Sequence, residues 1–213
     1  LKMAEMQWYA ATDSGRFDGT TVITPRSGAV CLRAELPAGV LQNAVAALPW
    51  TMAREEKLFM NGYQTWTACP ELGKWDRQHG VERVPKFLLE KYSFDRGKTY
   101  RLLASLDEAP GYTIFSYDSR TAQLRIERDC AGVQHTGGSF LAFSLFFAEG
   151  TEDEVFDAWF AALGCRPRTT RRLAGYSSWY NRYQNIDEAS IQEDLNGCKT
   201  LFRAGDLFQI DDG

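Results

Sequence analysis

The sequence predicts a mainly β protein: an antiparallel β-sandwich, then a linker helix, then the first strand–helix–strand unit of a (β/α)8 barrel. Three observations carry that prediction. From about Trp8 to Phe147, apolar residues recur mostly with period two, which places alternate side chains on opposite faces of a sheet. At Thr151 the repeat becomes that of an amphipathic helix. Beyond Leu173, a short apolar segment, a helical stretch and a second short apolar segment follow one another, as they do in parallel sheets.

Taken in order, Ala29 to Leu36 is the clearest strand, with Val30, Leu32, Ala34 and Leu36 on one face and Cys31, Arg33 and Glu35 on the other. Val40 to Leu48 reads as a short helix or an irregular connection, and its pattern does not choose between them. Thr99 to Leu106 and Ser139 to Phe147 are further strands. Tyr112 to Tyr117 and Gln123 to Arg128 form a hairpin across Asp118, Ser119 and Arg120. Many strands with frequent turn residues, and no long helical period before Thr151, favour a sandwich over residues 1–150.

Thr151 followed three positions later by Glu154 is a capping box, and Val155, Phe156, Trp159, Phe160 and Leu163 then recur at helical spacing. Gly164 and Pro167 end that helix. The basic stretch Arg166 to Arg172 lacks apolar residues and reads as an exposed linker, so residues 151–172 are helix and linker. In residues 173–213, Leu173 to Trp179 is a strand and Leu207 to Ile210 a second. Between them, Asp187 to about Phe202 is a helix with Asp187 or Asn185 as its cap. Two parallel strands alone leave both sheet edges open, so the expectation is that these residues begin a larger barrel and that the sequence is the front part of a longer protein.

Composition narrows the function. The 213 residues, 44% hydrophobic and 24% charged, are too apolar for a disordered chain. Lys and Arg number 24 against 28 Asp and Glu, so no basic excess exists to neutralise a nucleic-acid backbone. The longest apolar run, Phe140 to Ala148, is far short of the roughly 20 residues of a membrane span. Five cysteines without paired spacing point to reduced thiols and a cytoplasmic setting. With only His79 and His135, a zinc site or a histidine-based triad has little to build on.

The chemically suggestive residues lie at the ends of the last two strands, where the loops of parallel barrels converge. Asp211 and Asp212 offer adjacent carboxylates that accept hydrogen bonds from sugar hydroxyls, although Asp-Asp-Gly is also good turn chemistry. They do not make a retaining hydrolase's pair, which needs carboxyl groups about 5 Å apart on opposite sides of one bond. Trp179 offers a face for a pyranose ring or simply packs. Within the sandwich, Gln64 and Trp66 follow the Asn61–Gly62 turn signal, where they line a polar groove or flank a hairpin.

In order, Asn-Gly-Tyr-Gln-Thr-Trp at 61–66, Gly-Tyr-Ser-Ser-Trp-Tyr at 175–180 and Phe-Gln-Ile-Asp-Asp-Gly at 208–213 resemble segments of glycoside hydrolase family 36, the α-galactosidase group. The first is similar to part of that family's amino-terminal sandwich, and the others to its first two barrel strands. The resemblance implies a retaining α-galactosidase or a close relative acting on N-acetylgalactosaminides or transferring galactose. Asp211 and Asp212 would hold galactose hydroxyls, Trp179 would shape the same pocket, and Gln64 and Trp66 would reach its rim. The family's nucleophilic and acid/base aspartates, on later strands, have no counterpart in this sequence, so these 213 residues alone are expected to be inactive. The resemblance implies no metal or organic cofactor, an α-galactoside as partner, and a homo-oligomer, as is common among family members. The competing expectation is a non-catalytic sandwich that binds carbohydrate or docks a protein.

Overall fold

A computed structural model describes residues 3–54, 56–61, 71–73, 89–94, 99–109 and 111–212. The chain divides into two compact units, Leu1–Cys165 and Arg166–Gly213. Among its described residues the first holds thirteen strands in chain order: β1 (Ala4–Thr12), β2 (Gly15–Ile23), β3 (Gly28–Leu36), β4 (Gly39–Val40), β5 (Ala44–Pro49), β6 (Glu56–Asn61), β7 (Glu71–Leu72), β8 (Leu89–Phe94), β9 (Tyr100–Ser105), β10 (Tyr112–Asp118), β11 (Gln123–Asp129), β12 (Gln134–His135) and β13 (Gly138–Gly150). They pair antiparallel as a five-stranded sheet, β10-β11-β5-β1-β2, a six-stranded sheet, β3-β13-β9-β8-β6-β7, and the short β12-β4 ribbon. Met6, Leu48, Phe115 and Ile126 from the first sheet and Leu32, Leu103, Phe143 and Leu145 from the second fall in one buried cluster. This is the core that period-two alternation predicts.

β3 alternates as its sequence requires, with Leu32, Ala34 and Leu36 buried and Cys31, Arg33 and Glu35 exposed. The hairpin is β10 with β11, and Asp118 pairs with Gln123. Val40 to Leu48 is neither a helix nor an irregular connection throughout, because β5 occupies its second half. Ala44, Ala46 and Leu48 turn inward there between β1 and β11. Alanine favours helices and has little β propensity, which hides the alternation from a propensity reading; pairing on both edges makes the strand.

The run Phe140 to Ala148 is apolar apart from Ser144 because β13 is covered on both faces. Phe143, Leu145 and Phe147 join the sandwich core, while Phe146 packs with Leu102, Ala104, Val155 and Trp159 of a second cluster. The last two come from helix α1 (Glu152–Leu163), which opens as predicted. Thr151 Oγ1 accepts from the Glu154 amide at 3.4 Å, and Glu154 Oε2 accepts from the Thr151 amide at 2.8 Å. Gly164 closes the helix at φ 67°, a left-handed conformation that glycine adopts without a Cβ penalty. Trp159 Nε1 donates to the Ser105 carbonyl at 3.0 Å and fixes α1 on β9, so the helix belongs to the same compact unit as the sandwich.

The largest fully buried side chain among the described residues, Arg128, is charged. The β13–β3 ladder shifts register between Leu141 and Phe143, leaving Ala142 without a strand partner. Arg128 of β11, with no exposed surface, donates from Nε to the Ala142 carbonyl at 3.2 Å. Its Nη1 donates to the carbonyls of Asp107 and Gly111 at 2.8 and 3.1 Å. Burial holds the guanidinium below its usual pKa, with the charges of Glu108 and Asp107 opposing that shift.

The second unit contains β14 (Gly175–Ser177), α2 (Ser178–Arg182), α3 (Glu188–Leu201) and β15 (Leu207–Gln209). The two strands pair in parallel, Gly175 with Leu207 and Ser177 with Gln209. The strand expected over Leu173 to Trp179 is therefore shorter. The chain turns helical at Ser178, and Trp179 lies on α2, its carbonyl accepting from the Tyr183 amide at 3.0 Å. Asp187 is the cap of α3: its Oδ1 accepts from the Ser190 amide at 2.7 Å. Leu173, Leu201, Leu207 and Ile210 are exposed, and no further strand pairs with β14 or β15 among the described residues. No helix among those residues is long and apolar enough to cross a membrane.

Replacing Arg128 with Ala strands the buried Ala142 carbonyl, removes a donor from the part-buried Asp107 and Gly111 carbonyls and opens a cavity. Urea unfolding is expected to show a loss of about 3 to 5 kcal/mol. A loss under about 1 kcal/mol would show that the core does not rely on this side chain.

Candidate functional site

The parallel pairing of β14 with β15 sets the carboxyl ends of both strands side by side. Ser178, fully buried, follows the first strand, and its Oγ accepts from the Asp211 amide at 2.9 Å. That bond fixes the backbone at the point where the two aspartates leave the sheet. Asp211 is partly buried, and both its carboxylate oxygens are engaged locally. Oδ2 accepts from Gln209 Nε2 and Oδ1 from the Asp212 amide, each at 2.8 Å. Asp212 is exposed, and its carboxylate has no partner among the described residues. Ser177 Oγ, at the end of β14 and next in sequence to Ser178, is buried and has no hydrogen-bond partner among the described residues.

Trp179 is half-buried, and Tyr183 meets it edge-on with ring centres 5.5 Å apart. Tyr183 ends α2 at φ 53° and ψ −128°, a strained conformation for a side chain of its size. The β14–α2 turn is thus held in one shape, with Trp179 and the carboxyl end of β15 both anchored to the Ser178 neighbourhood. Gln64 and Trp66, the remaining residues singled out in the sequence, lie outside the described residues.

A second cluster, not anticipated from sequence, braces this end of the unit. Asp194 on α3, with a side chain only 9% exposed, accepts from Arg182 Nε at 2.7 Å and Nη2 at 2.8 Å. The Tyr176 hydroxyl of β14 donates to the same carboxylate, and Asn181 Nδ2 lies at 3.4 Å. Arg182 also reaches Glu193 Oε2 at 3.0 Å. The Arg182 hydrogen bonds, then that of Tyr176, hold the Asp194 carboxyl well below the usual carboxylate range. The Asp194 bond raises the Arg182 guanidinium above its usual value, and burial followed by the Asp194 contact raises the Tyr176 hydroxyl. A sequence signal for this cluster exists. Residues 191, 194, 195 and 198 follow the apolar spacing of α3, and a carboxylate on that stripe needs a buried partner.

Chemically, the arrangement offers exposed carboxylate oxygens at the mouth of a parallel strand pair, a half-buried indole on the neighbouring turn and a rigid brace behind both. Such a set accepts hydrogen bonds from hydroxyls. Among the described residues no group of three or more His, Cys, Asp or Glu side chains is placed to hold a metal ion. No protein-family model matches the chain, and neither does any curated protein.

The brace sets a pH dependence. A carboxyl whose folded pKa is depressed stabilises the fold above its unfolded value near about pH 4 and loses that contribution as pH falls toward the folded pKa. In urea unfolding between about pH 2 and pH 6, Asp194→Asn should be less stable than the parent at the upper end. The gap should narrow as the solution is acidified. A gap independent of pH would show that the Asp194 charge does not act in the brace.

Proposed function

We propose that the chain is the amino-terminal portion of a retaining α-galactosidase-like glycoside hydrolase. Its sandwich would precede a (β/α)8 barrel that begins at β14, and the fully assembled protein would act on α-galactosides. The observation that carries this reading is the parallel β14–β15 pair, with Asp211 and Asp212 leaving its carboxyl end under the Ser178 bond. Parallel strands joined by a helix are the repeating unit of such barrels, and their substrate sites lie at that end. Open strand edges and the exposed Leu207 and Ile210 support neighbours on either side.

In this reading Asp212 accepts hydrogen bonds from ring hydroxyls directly. Asp211 shares in that work while its local bonds to Gln209 and the Asp212 amide keep it oriented. Trp179 contributes apolar surface to the sugar's carbon face. The nucleophile and the acid/base, two carboxyl groups about 5 Å apart, reside on later strands, and the reaction runs on carboxylates without metal or organic cofactor. A cytoplasmic homo-oligomer is part of the proposal. A non-catalytic carbohydrate-binding or protein-docking sandwich is the second reading, favoured by the cleft at one end of the sandwich.

Hydrolysis of nitrophenyl α-galactoside separates the two. The protein encoded by the uninterrupted reading frame is expected to release nitrophenol, and Asp212→Ala to lower its kcat/KM by about a hundredfold or more. The 213 residues alone are expected to release none. Turnover by the 213-residue chain, or an Asp212→Ala enzyme as active as its parent, would contradict the proposal.

A further inference from the structure

One end of the sandwich opens into a cleft of about 530 Å³, formed where β1 begins, where β2 and β5 end, and where β9 and β13 contribute Arg101 and Glu149. Ile23, Pro25, Pro49 and Trp50 give it an apolar wall. The polar side is built from paired charges. Arg101 donates from Nη2 to Glu56 Oε1 at 2.8 Å and to the Thr51 carbonyl at 3.0 Å, and its guanidinium carbon lies 4.8 Å from the centre of the Trp50 ring. Arg26 faces Glu149 at 4.0 Å. The turn carrying Arg26 is itself fixed, because the Thr24 amide donates to Ser27 Oγ at 2.8 Å and the Ser27 amide to the Thr24 carbonyl at 3.1 Å.

The Arg101–Glu56 pair needs explaining, since Glu56 is only 1% exposed. Desolvation offsets most of the attraction in a buried ion pair, and apolar residues of the same volume would stabilise the fold as well. A guanidinium locked by Glu56, Thr51 and Trp50 is, however, a preorganised donor for a ligand in the cleft.

We infer that this cleft binds a neutral oligosaccharide. Arg26 and Arg101 each have a carboxylate, and Glu5 adds a further exposed one, so no spare positive charge draws an anion. Donors set beside acceptors match vicinal hydroxyls, which both donate and accept. The apolar wall matches the carbon face of a pyranose ring, and the volume falls in the range of small-molecule sites. Trp50 is 5% exposed and serves as wall rather than open stacking platform, which points to weak binding. The inference rests on the sandwich alone and holds whether or not β14 and β15 belong to a barrel.

The test is nuclear magnetic resonance of the 213-residue chain, titrated separately with raffinose, maltotriose and cellotriose, and with inorganic phosphate and glutamate as charged controls. The Trp50 indole N–H is expected to shift saturably with at least one trisaccharide and with neither control. Arg26→Ala combined with Glu149→Gln should weaken that binding by about tenfold or more, and Arg26→Ala alone, on an exposed side chain, by about threefold. Sugar-induced shifts at the amides of Asp211 and Asp212 report the other site, so the two proposals fail separately. No shift at Trp50 with any trisaccharide at about 20 mM, equal binding of phosphate or glutamate, or undiminished affinity in the double variant would overturn the inference.

Discussion

Arg128 reaches from β11 across the core to β13 and gives its Nε hydrogen to the carbonyl of Ala142, the residue that the register shift leaves outside the ladder. The bulge and the buried arginine therefore depend on each other. Without the guanidinium the Ala142 carbonyl has lost both strand and solvent; without the bulge the guanidinium has lost an acceptor. Its Nη1 bonds close the Asp107–Gly111 connection that leads from β9 into the hairpin. One side chain thereby links the two sheets and fixes the segment between β9 and β10. On the other face of β9 and β13, Val155 and Trp159 of α1 complete the burial.

Much of this was legible from residues. The alternation of β3, the β10–β11 hairpin, the Thr151 capping box and the Gly164 stop are local signals, decided by neighbours within a few positions. β5 was not, because its alanines carry no strand preference and its identity comes from β1 and β11 on either side. Trp179 was displaced from a strand end to a helical turn for a similar reason. Burial of Ser178 beneath the Asp211 amide, a contact 33 positions long, ends β14 early. The alternation of β11 sets Arg128 on the face of Leu124 and Ile126, but its acceptor there comes from a bulge in the other sheet.

In the second unit the same division applies. The two aspartates were visible as a motif, but their inequivalence was not. Asp211 has both oxygens committed to donors within two residues, whereas the Asp212 carboxylate has no partner among the described residues. The Asp194 brace was hidden behind an apolar helical stripe, although a carboxylate on such a stripe is a marker of a buried partner. Together these features give a small parallel unit whose polar end is tied by hydrogen bonds and to whose strands no further strand pairs among the described residues. Under the proposed function a clamp for hydroxyls would benefit from that rigidity, since donors and acceptors fixed in advance lose little entropy when a sugar binds.

The most direct test is a crystal structure of the protein encoded by the uninterrupted reading frame, soaked with galactose. The account predicts a closed ring of parallel strands containing β14 and β15, with the Asp211 and Asp212 carboxylates about 3 Å from sugar hydroxyls. Galactose bound elsewhere, or a β14–β15 pair with no strand added to either edge, would contradict it.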